Sequence, residues 1–197
     1  MVKVAFIVEG KVEKIFIDFL EDSGWFREKN IKKVAPTVDA KGGGNLCPQN
    51  MQVFVEQAKT FNPDKIFILT DLECDPCVEK TKERLGECDI CVVVLAKKAI
   101  EAWFLADGEI LKQFTQSQLL SFEYPERTEL MPYDVFKSIL MQYTGRGTSK
   151  VKLVKNILRH GFDIERVAKH PHCESAKYFV DKINGLSTYS TDRIKQS

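Results

Sequence analysis

The sequence predicts an α/β protein: a Rossmann-like parallel sheet of about four strands followed by a helical C-terminal extension. Three observations carry this. Short β-rich runs alternate with helical patterns through the first hundred residues, the sign of strand–helix–strand units. Two of those runs, Ile66–Thr70 and Cys91–Ala96, are apolar throughout or nearly so, as parallel strands covered on both faces are. Beyond residue 97 the strand signals stop and only helical periodicities follow.

In chain order, Val2–Val8 is a continuous apolar strand. Val12–Leu20 spaces Ile15, Phe16, Phe19 and Leu20 as one face of a helix, with charges between them. Lys33–Val38 reads as a second strand, and Lys41-Gly-Gly-Gly-Asn45 as a flexible turn. Gln49–Phe61 is an amphipathic helix stopped by Asn62-Pro63. Ile66–Thr70 is the third strand, Val78–Leu85 a helix, and Cys91–Ala96 the fourth strand. The extension is read as helices over Ala99–Asp107, Glu109–Leu120, Asp134–Tyr143, Ser149–His160, Ile164–Lys169 and Glu174–Ile183. The resulting division is an α/β domain over 1–98, a helical part over 99–186 packed on it, and a polar, flexible tail over 187–197.

Composition narrows the class. With 197 residues, 44% apolar and 29% charged, the chain can bury a sizeable core without staples, which excludes collagen-like, coiled-coil and wholly disordered readings. No apolar stretch approaches the length that crosses a bilayer, and the N-terminus offers no cleavable small-residue site, so a cytoplasmic chain with no membrane partner is expected. The net charge of +1 implies no polyanionic partner by itself. Its distribution is uneven: seven acidic against two basic residues over 101–134, then eight basic against two acidic over 137–170. A block of this kind either faces an anion or forms a solvated helix face.

Six cysteines without a secretory signal predict reduced thiols. Cys74-Asp-Pro-Cys77 and Cys88-Asp-Ile-Cys91 have the spacing of a tetrahedral zinc site. Zinc is disfavoured because Cys91 opens a buried strand, and alternation would send Cys88 and Cys91 to opposite faces if both lay on it.

Ligands of open α/β sheets collect at the carboxyl ends of the strands, and there this sequence concentrates its acids. Glu9 follows the first strand, Asp71, Glu73 and Asp75 follow the third, and Glu101 comes soon after the fourth, beyond Lys97 and Lys98. Converging carboxylates repel unless a cation neutralises them, and oxygen-only ligands favour Mg²⁺ or Mn²⁺. Asp75 before Pro76 competes as a helix cap, and Glu101 competes as a salt-bridge partner within its own helix. A helix opening at Ser149 offers free N–H groups to an anion, and Arg146, Lys150 and Lys155 around it are candidate phosphate contacts beside Lys97 and Lys98. The apolar neighbours of Glu101, led by Trp103, read as core. His170-Pro-His172-Cys173 reads as a turn. No G-x-S-x-G elbow and no G-x-G-x-x-G run is present, which speaks against acyl transfer and dinucleotide binding.

Two segments, Ile68-Leu-Thr-Asp-Leu-Glu-Cys-Asp-Pro-Cys77 and Ile100-Glu-Ala-Trp-Phe-Leu-Ala-Asp107, together with Cys173-Glu-Ser-Ala-Lys-Tyr-Phe179, resemble a family of small bacterial and archaeal Toprim-like proteins. The wider Toprim group includes topoisomerases, primases and overcoming-lysogenization-defect nucleases. The resemblance implies a metal-dependent phosphodiester hydrolase or phosphotransferase acting on nucleic acid, nuclease-like, with an association to mobile elements or phage defence. It implies Glu9 as the catalytic general acid or base and Asp71 with Glu73 as Mg²⁺ or Mn²⁺ ligands, Glu101 being an additional one. Glu73 stands where the group has a second Asp, which keeps the carboxylate and adds a methylene. That departure opens the alternative of a non-catalytic module with a degenerate acidic site that binds a protein partner. A zinc-stabilised adaptor built on the cysteine pairs is the remaining option.

Overall fold

The structure, a computed structural model, describes residues 1–72, 79, 81, 83, 88–117, 120–145 and 147–194, with side chains as far as residue 186. Glu73, Asp75, Arg146, Cys74 and Cys77 lie outside the described residues, as does most of the helix expected over Val78–Leu85.

The elements in order are β1 (Val2–Val8), α1 (Lys11–Asp22), α2 (Trp25–Glu28), β2 (Ile31–Lys33), β3 (Val38–Asp39), α3 (Pro48–Lys59), β4 (Lys65–Asp71), β5 (Cys91–Ala96), α4 (Glu101–Leu105), α5 (Gly108–Thr115), α6 (Pro132–Thr144), α7 (Lys150–Arg159), α8 (Ile164–Ala168) and α9 (Glu174–Ile194). Short 3-10 turns occupy Gly43–Asn45 and Pro125–Arg127. The chain divides into two compact units. One comprises 1–70, 75–95 and 181–197, and the other comprises 71–74 and 96–180.

The first unit is the α/β sheet, in the order β2-β1-β4-β5, with β3 also paired to β1. Both neighbours of β1 run parallel to it, with Val2 opposite Ile31, Ile7 opposite Val38 and Val8 opposite Leu69. The two faces of β1 carry different cores, as its period of two requires. Ala5 and Ile7 pack with Met51, Val55 and Ala58 of α3 and with Ile66 and Ile68 of β4. Phe6 points the other way, its ring centroid 5.2 Å from the tilted ring of Phe26 in α2 and stacked at 5.4 Å on Phe67 of β4. Opposite faces buried against helices are what made β1 and β4 legible as unbroken apolar runs.

The second strand departs from expectation. In place of one strand over Lys33–Val38 there are two short pieces, β2 and β3, both paired to β1, and the intervening chain contains Pro36. Proline supplies no N–H to a ladder and is confined to edges and breaks, so the apolar run is interrupted where it appeared most continuous. The short helix α2 is likewise additional; Gly24, at φ 82°, turns the chain into it.

The cysteines also correct a reading. Cys88 and Cys91 form a disulfide rather than reduced thiols. Only Cys91 lies on β5; Cys88 precedes it in a turn closed by the Cys91 N–H on the Cys88 carbonyl at 3.0 Å, so strand alternation does not separate the two sulfurs. Cys47 is a partly exposed thiol and Cys173 a buried one. Burial, reinforced by the Glu126 carboxylate, holds the Cys173 thiol far above the ordinary range. Iodoacetamide at pH 8 should therefore alkylate Cys47 in the native chain, label Cys173 only after urea unfolding, and reach Cys88 and Cys91 only after reduction. Peptide mass mapping reads all three, and native labelling of Cys173 would contradict the burial.

The second unit is helical and is organised by two polar hubs. Asp107, fully buried, caps α5 through the N–H groups of Glu109 and Ile110, accepts two bonds from Arg166 at 2.7 and 2.6 Å, and takes the Asp163 N–H at 3.2 Å. Ser175 forms the other hub: its Oγ accepts from the Trp103 indole at 2.7 Å and from the Lys97 N–H at 3.2 Å and donates to Glu126. Trp103 is fully buried against Phe179, ring centroids 5.7 Å apart, as a core residue should be. No described helix is long and apolar enough to cross a membrane.

Candidate functional site

The strand order places a reversal between β1 and β4: from β1 the chain moves outward to β2 and β3, then returns to the far side of β1 as β4. In open α/β sheets the ligand crevice lies at such a reversal, outside the carboxyl ends of the strands. The residue that follows β1 is Glu9. Its N–H continues the ladder to the Leu69 carbonyl at 3.0 Å, and its carboxylate accepts a hydrogen bond from the buried Thr70 hydroxyl.

The glycine loop closes on the same carboxylate. Gly42, at φ 119°, adopts a backbone that disfavours any side chain, and its N–H donates to the Glu9 carbonyl at 2.8 Å. Gly43 approaches so closely that a Cβ there would stand 3.1 Å from Glu9 Oε1 and 3.3 Å from its Cδ. Asn45 ties the loop back, its side-chain amide donating to the Ala40 carbonyl at 2.8 Å. What reads in sequence as a flexible turn is a hydrogen-bonded wall beside Glu9. Sequence reasoning found Glu9 but missed Thr70, Gly42 and Gly43. The only signal was the Gly-Gly-Gly run, whose close approach needs the fold to be seen.

In the second unit, Asp71 binds the backbone one residue before Glu101, at the start of α4. Asp71 is buried, and its Oδ1 accepts the Ile100 N–H at 2.8 Å, immediately before Glu101. Glu101 is 1% exposed. Neither of its oxygens accepts a hydrogen bond, although Lys150 Nζ stands 2.9 Å from Oε1 as an ion pair. Lys150 is delivered there because Gly145, at φ 67°, ends α6, while Tyr133 holds the Thr148 carbonyl at 2.9 Å and Ser149 caps α7. The salt bridge expected within its own helix is thus made to a lysine far along the chain.

The other predicted phosphate contacts are dispersed. Lys97 pairs with Glu174, with Glu126 at 4.0 Å, and Lys98, in the left-handed region at φ 66°, donates to the Glu129 carbonyl at 3.2 Å. Lys155 is exposed on α7. The histidine turn is internally satisfied: the His172 N–H donates to His170 Nδ1 at 3.2 Å, which leaves Nε2 as the donor to the Phe122 carbonyl at 3.0 Å.

Among the described residues no group of three or more His, Cys, Asp or Glu side chains gathers closely enough to hold a metal ion. The acidic donors described there, Asp71 and Glu101, are hard oxygens of the type Mg²⁺ or Mn²⁺ prefers, but each is already engaged, by the Ile100 N–H and the Lys150 ammonium. The hydrogen bond that the Ile100 N–H donates to Asp71 fixes its carboxylate in place. No family model, curated protein or solved structure matches the chain.

Proposed function

We propose that the chain is a divalent-metal-dependent phosphodiester hydrolase acting on nucleic acid, a nuclease of the Toprim kind. The observation that carries the reading is Glu9 at the strand-order reversal, its carboxylate oriented by the Thr70 hydroxyl and walled by Gly43. A carboxylate in that place can accept a proton from the attacking water or hydroxyl and return it to the leaving oxygen. Asp71, with Glu73 and Glu101, would hold Mg²⁺ or Mn²⁺. When bound, such an ion polarises a phosphoryl oxygen and lowers the pKa of water. Of the candidate phosphate contacts, Lys97 and Lys150 already face carboxylates, which leaves Lys98 and Lys155 for that role.

One observation favours a second reading, a non-catalytic module that joins a partner protein. Asp71 and Glu101 are both already engaged, by the Ile100 N–H and the Lys150 ammonium. Incubation with supercoiled, linear and single-stranded nucleic acid plus Mg²⁺ or Mn²⁺ separates the two. Metal-dependent cleavage lost in Asp71→Asn is the expected result. No cleavage of any substrate, or cleavage that survives Asp71→Asn, would overturn the hydrolase reading.

A further inference from the structure

We infer that the Cys88–Cys91 disulfide is a thiol–disulfide exchange site, opened and closed by a dithiol while the fold stays intact, with Cys88 as the attacked sulfur. The inference does not depend on the nuclease reading and concerns a different part of the α/β unit.

A disulfide can staple a structure or exchange electrons, and its loop, its supports and its access tell the two apart. The link spans a sequence separation of only 3. The chain entropy that a cross-link removes from the unfolded state grows with the loop it closes, so so short a ring staples little. The turn is also held without sulfur. The Cys91 N–H donates to the Cys88 carbonyl at 3.0 Å, the Ile66 N–H to the Ile90 carbonyl at 2.9 Å, and Lys65 Nζ to the Asp89 carbonyl at 3.4 Å. Both cysteines rest on the core cluster that contains Ile66 and Ile68. Opening the S–S bond therefore leaves the two sulfurs side by side, as a reversible pair requires.

Access favours Cys88. Both cysteines are partly exposed, in contrast to the buried Cys173. Cys88 lines a cavity of about 650 Å³, walled by Met51, Val55 and Lys59 of α3, by Ile68 of β4 and by Ile90. Among the described residues Cys91 is not part of that wall. Exchange depends on which sulfur an incoming thiolate can reach, and the cavity leads it to Cys88. A thiolate of the dithiol attacks Cys88 Sγ, the S–S bond breaks, and Cys91 leaves as a thiolate that takes a proton. The second thiol of the reductant then attacks the reductant's own sulfur in the mixed disulfide and releases Cys88, which takes the other proton. Two electrons and two protons pass to the cysteine pair, and the dithiol ends as its disulfide. The same steps in reverse close the pair again.

The test uses the full chain carrying Cys47→Ser, which removes the other partly exposed thiol, with dithiothreitol as the dithiol. In native buffer, dithiothreitol followed by excess iodoacetamide should label Cys88 and Cys91, with Cys173 unlabelled and the far-UV circular dichroism unchanged. Oxidised dithiothreitol should abolish that labelling. A pair that opens only after urea unfolding is a structural staple and overturns the inference. Glutathione disulfide then identifies the attacked sulfur. Cys91→Ser should form a mixed disulfide at Cys88 about tenfold faster than Cys88→Ser forms one at Cys91. Equal or reversed rates overturn the inference. So does a chain isolated with one zinc per molecule whose cysteines at 88 and 91 are thiols that label only after chelation. The dithiothreitol measurement alters neither cysteine of the pair, so it decides the matter even where a serine variant does not fold.

Discussion

Glu9→Gln is expected to lower metal-dependent phosphodiester cleavage by about 10²–10⁴-fold, the range over which a positioned acid or base contributes, while leaving the fold intact. The substitution is nearly isosteric. An amide oxygen can still accept from Thr70, so orientation survives and the proton-accepting charge does not. Unfolding midpoints in urea should stay within about 0.5 kcal/mol of the native chain, as for a partly exposed position outside the core. Two companions divide charge from placement. Thr70→Val keeps the shape and removes the donor that orients the carboxylate, so kcat should fall by about tenfold with KM unchanged. Gly43→Ala inserts a methyl 3.1 Å from Glu9 Oε1 and forces the carboxylate aside by a few tenths of an ångström, with a similar kcat loss. The non-catalytic reading makes a different prediction: the native chain shows no metal-dependent cleavage for the substitution to remove. Cleavage by purified Glu9→Gln at the native rate would remove Glu9 from the chemistry.

How much of this was legible in the sequence depends on the distance over which each contact is made. β1, β4 and β5 were readable to within a residue or so, because each is bounded by charge or turn residues and is apolar between them. The edge of the sheet was not. Lys33–Val38 has the composition of a strand, and only the pairing of β1 with two separate pieces reveals that Pro36 lies in the gap. Glu9 could be placed at a strand end from its position alone. Its partners could not be named, since Thr70 is 61 positions away and becomes its neighbour only through the parallel register of β1 and β4. Glu101 shows the same limit: its type and its helix were readable, whereas its burial and its pairing with Lys150 come from contacts between segments far apart in the chain. Cys88 and Cys91 were misjudged for a local reason. A periodicity valid on a strand was extended three residues into a turn.

Glu126→Ala is expected to destabilise the helical unit by about 3–4 kcal/mol, a large share of the 5–15 kcal/mol that holds a domain together. The Glu126 side chain is 3% exposed and serves as an N-terminal cap for α9 supplied from elsewhere in the chain. Its Oε2 accepts from the Glu174 N–H at 3.1 Å, and its Oε1 accepts from the Ser175 N–H at 2.9 Å and from the Ser175 hydroxyl. Those amides belong to the first turn of the helix, where no intrahelical acceptor exists and the dipole favours a negative charge. Truncation therefore strands two backbone donors and a hydroxyl at once, at about 1–3 kcal/mol for each one that water cannot reach. It also frees the Ser175 hydroxyl to rotate away from the Trp103 indole. Glu126→Gln retains an acceptor for Ser175 but turns an NH₂ toward the Glu174 N–H, so its loss should be about half as large. The two variants with Ser175→Ala complete a double-mutant cycle, and a coupling of at least 1 kcal/mol is expected for groups that share one network. Urea unfolding followed by far-UV circular dichroism measures all of them: the midpoint should fall while the slope stays constant, since the surface exposed on unfolding is unchanged. A loss below 1 kcal/mol in Glu126→Ala would mean that water caps α9 as well as the carboxylate does, and that the polar hub is incidental to the stability of the unit.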